Sequence, residues 1–62
     1  MLFELREEQV KYFSTGVTEV TERRIATRNE IEIDSRFANM EVGHRRNLKV
    51  IDGVIHSIVR TE

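Results

Sequence analysis

A chain of 62 residues with no cysteine and no proline reads as one small domain, able to bury only about 60% of the surface it exposes when unfolded. Disulfides, thiolate metal sites and cysteine nucleophiles are excluded, and two separated histidines imply neither a zinc site nor any other cofactor. Ten basic residues against eleven acidic ones leave a formal charge of −1, too balanced to draw in nucleic acid or a membrane through the field of the whole molecule.

Domains this small usually lean on a disulfide, a metal or a partner, so association with further copies is the support left open. Val, Ile and Thr (7, 6 and 5 residues) far outnumber Leu and Ala (3 and 2). Branching at Cβ suits a pleated surface and costs helix stability, so sheet should dominate. The acidic start "MLFELREEQV" lacks the apolar run of a signal peptide. No stretch approaches the roughly 18 apolar residues of a membrane span. The expectation is a soluble, cytoplasmic protein.

Residues 2–13 fit a helix. Glu4, Glu7, Glu8 and Lys11 form a polar arc opposite Leu2, Phe3, Leu5, Val10, Tyr12 and Phe13, interrupted by Arg6 and Gln9. The rival reading pairs "QVKYF" with "VTEV" as strands across Ser14-Thr15-Gly16; the helix is preferred. From Val17 to Ala26 neither parity is cleanly apolar, and a bulge between Thr21 and Arg24 would bring Val17 or Val20 into phase with Ile25. Asn29, Ile31 and Ile33 alternate with Glu30, Glu32 and Asp34, the period of a half-buried strand. Thr27-Arg28-Asn29-Glu30 also matches a helix capping box, but "IEID" has the wrong period for a helix, and the strand is preferred. In the connection 35–47, Phe37, Met40 and Val42 should tuck inward, with a short helical turn around Arg36 to Glu41 and a break at Gly43.

The closing "LKVIDGVIHSIVR" is a hairpin on Asp52-Gly53, because a type I′ turn needs positive φ at both central residues. That turn sets Ile51 opposite Val54 and Val50 opposite Ile55. One face carries Ile51, Val54 and Ile58 with Lys49 and His56; the other carries Leu48, Val50, Ile55 and Val59 with Ser57. A hairpin on a small monomer should have one polar face. Both being apolar, Leu48, Val50, Ile55 and Val59 are the candidate seam of a homodimer or higher oligomer; curling of the other strands into a small all-β barrel is the competing explanation.

The basic residues cluster in "ERRIATR" (Arg23, Arg24, Arg28) and "HRRNLK" (Arg45, Arg46, Lys49), which could hold an anionic partner through bidentate guanidinium contacts. Flanking acids, Glu19, Glu22, Glu30, Glu32 and Asp34, could equally consume that charge in cross-strand pairs. Aromatic residues lie away from both clusters, so base stacking has little support. Ser14, Ser35 and Ser57 lack the setting of a nucleophile, His44 reads as a loop residue and His56 as partly covered packing.

"VTEVTERRI" at 17–25 with "LKVIDG" at 48–53 resembles the opening β-region of the stage V sporulation protein G family, small bacterial nucleic-acid-binding regulators built on an antiparallel sheet. The resemblance spans at most residues 17 to 53, has no agreement between its two fragments, and would imply nucleic-acid binding.

These readings together describe an α+β, β-dominated domain: an N-terminal helix and an antiparallel sheet of about four strands ending in the Asp-Gly hairpin. The expected role is a non-catalytic interaction or regulatory module, homo-oligomeric and binding another protein. The alternative is an oligomeric nucleic-acid-binding regulator that uses the two arginine clusters.

Overall fold

A computed structural model describes residues 1–33 and 35–62. The strands are β1 (Phe3–Tyr12), β2 (Val17–Ile25), β3 (Arg45–Ile51) and β4 (Val54–Arg60); a helix α1 (Arg28–Glu32) and a 3-10 turn (Ser35–Asn39) lie between β2 and β3. All strand pairs are antiparallel, in the order β2-β1-β4-β3. Two hairpins therefore lie side by side, with the first and last strands at the centre. The sheet is open, with β2 and β3 as its edges, rather than a closed barrel.

The expected N-terminal helix is a strand, and the rival hairpin is the one that forms. Tyr12 faces Val17 and Val10 faces Thr18, with Lys11 as an extra residue. An isolated helix of about twelve residues is marginal in water, whereas as a central strand the segment is hydrogen-bonded on both sides. The strand also sets Phe3 and Leu5 on one face, where Leu5 is opposite Ile58, and Glu4, Arg6 and Glu8 on the other. In β2 the extra residue is Thr21, and it puts Val20 and Ile25 on one face, as a bulge was expected to do.

The expected strand over Asn29–Ile33 is also corrected, since α1 occupies Arg28–Glu32; Asp34 lies outside the described residues. The capping box that looked like coincidence is formed. The Glu30 amide donates to Thr27 Oγ1 at 3.3 Å and the Thr27 amide donates to Glu30 Oε1 at 2.9 Å. Arg24 adds a bidentate fork onto the Glu30 carboxylate at 2.7 and 2.6 Å, and Arg28 bonds Glu32 one turn on. These local bonds outweigh a two-residue alternation that no neighbouring strand is placed to use. Thr27→Ala should cost about 1 kcal/mol and lower the melting temperature by roughly 4–8 °C, read by circular dichroism.

Residues 26–33 and 35–40 pack on the sheet face that carries Phe3, Leu5 and Ile58. Ala26, Phe37 and Met40 are buried against Phe3 and Ile58, with Leu5 and Ile31 partly buried alongside. The Phe3 and Phe37 rings meet at 6.2 Å with a 41° tilt. Phe37 and Met40 tuck inward as expected, but Val42 does not and is 61% exposed. The chain is already turning outward there. The His44 amide donates to the Glu41 carbonyl at 3.0 Å, and Gly43, at φ +88°, donates to Arg60 O at 2.8 Å to start the final hairpin.

That hairpin has the expected turn, with φ of 51° at Asp52 and 77° at Gly53. Ile51 faces Val54, Val50 faces Ile55 and Lys49 faces His56. One residue departs. Leu48 is the extra residue of a bulge between Asn47 and Lys49, and it lines the same hollow as Lys49 and His56 instead of joining Val50 and Ile55.

Candidate binding surface

Strand register gives the two sheet faces different chemistry. On the uncovered face a polar chain crosses all four strands at Glu8. Its carboxylate accepts from Thr18 Oγ1 on β2 at 2.8 Å, from Ser57 Oγ on β4 at 2.5 Å, and from the Arg45 Nε on β3 at 2.8 Å. Glu8 and Ser57 are buried, and the Arg45 side chain spans β4 to make the contact. Burial by itself would raise the Glu8 pKa, but the bonds from Ser57, Arg45 and Thr18 and the Arg45 charge outweigh it and hold the group below the ordinary 4.5. Val59, facing Glu4 on one side and Arg45 on the other, is buried without a second layer over it. Stems of charged side chains can cover apolar surface in this way.

On the opposite face, the area not occupied by α1 and the 3-10 turn is a hollow of about 670 Å³. Leu5, Phe37 and Leu48 supply its apolar lining, and Ile33 stands at it 84% exposed. Cations line it from both edges and from the segment between them, Arg23 and Arg24 from β2, Arg36 from the 3-10 turn and Lys49 from β3, together with Glu7, Glu22 and Glu30. Glu30 is drawn down to about 2, first by the Arg24 fork and then by the Thr27 amide. His56 Nδ1 lies 3.8 Å from Glu7 Oε1, beyond hydrogen-bonding distance.

The candidate anion-binding residues are divided by this geometry. Arg24 is paired with Glu30, Arg28 with Glu32 and Arg45 with Glu8. Among the described residues, Arg23, Arg46 and Lys49 make no ion pair. Arg23 lies on one edge strand and Arg46 and Lys49 on the other, three strand spacings or about 14 Å apart. The candidate seam is divided as well: Val59 is buried, Ile55 half-buried, Val50 63% exposed, and Leu48 faces the hollow.

The sequence reading missed the Glu8 chain and the hollow. Glu8 would have stood out as a carboxylate at the centre of a sheet once residues 3–12 were read as a strand. The signal for the hollow is Ile33, an apolar residue just past a short capped helix. No family model, curated protein or solved structure matches the chain, so the sporulation-protein resemblance gains no support. Among the described residues, no helix is long and apolar enough to cross a membrane.

Proposed function

We propose that the chain is a non-catalytic interaction module that binds another protein and works as a homo-oligomer. The observation that carries this reading is the hollow, with its apolar lining, an exposed isoleucine, and charges of both signs around it. Its volume suits a few side chains of a partner segment. An apolar anchor flanked by charged residues would match it, the lining carrying Arg23, Arg24, Arg36 and Lys49 as well as Glu7, Glu22 and Glu30. Glu8 and Glu30 are both pushed down by the donors around them and act as fixed charges within the framework. A cytoplasmic location goes with this reading, in keeping with the absence of cysteine.

Selection from a random peptide display library tests the proposal. Enriched peptides should share a large apolar residue beside a charged one. Ile33→Asp, at a position too exposed to unfold the chain, should weaken them about tenfold or more, while Ile25→Asp on the other face should not. No enrichment, or enrichment indifferent to Ile33→Asp, would overturn it. The unpaired Arg23, Arg46 and Lys49 favour the nucleic-acid alternative. A gel shift at low salt, lost steeply as salt rises and weakened by Arg46→Ala with Lys49→Ala, would replace the protein reading.

A further inference from the structure

We infer that a second copy of the chain adds its β3 antiparallel to β3 about a two-fold axis, making one continuous eight-stranded sheet. The inference rests on the oligomeric part of the proposed function and gives it a surface. It moves that surface from the sheet face, where Val59 is already covered, to the sheet edge.

The first observation is area. A monomer of 7.3 kDa is expected to expose about 4,200 Å², and this chain exposes 4676 Å². The surplus, roughly 500 Å² per chain, amounts over two chains to about the 1,000 Å² that a specific interface requires. The second is where apolar surface is concentrated. Every residue of β3 is exposed, β3 pairs only with β4, and Leu48, Val50 and Ile51 stand together at one end of it. An unpaired edge with exposed apolar side chains is a template for another strand.

The third observation is register. Strands paired across an edge keep their faces continuous, so each side chain must meet one on its own face. The bulge at Leu48 restricts which antiparallel registers of β3 on β3 satisfy this. Setting Arg46 against the partner's Lys49 opposes like charges and also sets Asn47 against the partner's Leu48, which lies on the other face. The longest register that keeps the faces continuous sets Asn47 against the partner's Val50, Arg46 against the partner's Ile51, and Leu48 against the partner's Lys49, with no cations opposed. β3 is basic at one end and apolar at the other, and the two-fold lays the basic end of each copy beside the apolar end of its partner, which keeps the two basic ends apart. Both hollows then open on the same side of the joined sheet.

Light scattering after size exclusion should give twice the 7.3 kDa chain mass at tens of micromolar. Val50→Lys, at a residue exposed enough to leave the fold intact by circular dichroism, should weaken the dimer tenfold or more; Ile25→Lys on the β2 edge should not. With no native cysteine, Leu48→Cys next to the axis should cross-link on mild oxidation, and Ile25→Cys should not. A monomer throughout would overturn both this inference and the oligomeric reading. A dimer indifferent to Val50→Lys, or one cross-linked through Ile25→Cys, would overturn the β3 edge and leave the oligomeric reading standing. Masses that climb steadily with concentration would indicate head-to-tail pairing of unlike edges, which also overturns the two-fold.

Discussion

Phe3→Ala is expected to remove a large share of the chain's folding stability, about 3–5 kcal/mol. Phe3 is 1% exposed, packs on Phe37, and belongs to the cluster that joins β1 and β4 to residues 26–33 and 35–40. Its carbonyl also accepts the Ala26 amide at 2.9 Å, so side chain and backbone anchor the same junction. Emptying a buried phenylalanine site costs about 3–5 kcal/mol, and a domain of this length commands only about 3–9 kcal/mol in total. Few other buried side chains are present to compensate: Ala26, Phe37, Met40, Ile58 and Val59 complete the apolar core. Phe3→Leu, which keeps most of the volume, should fold with a loss under about 1.5 kcal/mol. Phe13→Ala, at a residue 91% exposed beyond the end of β1, should change almost nothing. Urea titration followed by circular dichroism reads all three; a Phe3→Ala loss near 1 kcal/mol would show that the core is not organised around this ring.

The dependence on Phe3 also explains which parts of the fold were legible in the sequence. The Asp52-Gly53 turn was legible because its requirement, positive φ at two adjacent residues, is local. The first strand was not, because residues 2–13 fit a helical wheel better than the local signals for a strand at "QVKYF". What decides between them is the pairing of Leu5 with Ile58, far along the chain. Residues 27–33 carried two local signals in conflict. The capping box prevailed over the alternation because Arg24 and Thr27 both hold Glu30, bonds that a strand there would forgo. The same distinction separates the arginines. Arg28–Glu32 has the spacing of a helix pair and could be foreseen once α1 was granted. Arg45–Glu8 depends on the order of all four strands, so one of the candidate anion-binding residues became part of the framework.

Glu8→Ala is the second large effect expected, about 2–4 kcal/mol of destabilisation. Removing one partner of a buried ion pair commonly costs about 3–5 kcal/mol, and the lower range applies because the Arg45 side chain, 36% exposed, can turn toward water. Ser57 has no such escape, being fully buried with its hydroxyl aimed at Glu8. The same carboxylate should make stability depend on acid. Its folded pKa lies below the ordinary 4.5, so the unfolded chain takes up the proton first as pH falls. The stabilisation is complete above about pH 4.5 and is lost on descent through the folded pKa. Glu30, held near 2, acts in the same direction. Melting temperatures measured from pH 7 to pH 2 should therefore fall below about pH 4.5. In Glu8→Gln, which cannot ionise, the fall should be shallower and start from a lower plateau. Equal slopes in the two proteins would mean that Glu8 has the same pKa folded and unfolded, and that its contacts with Ser57, Arg45 and Thr18 do not favour its charge.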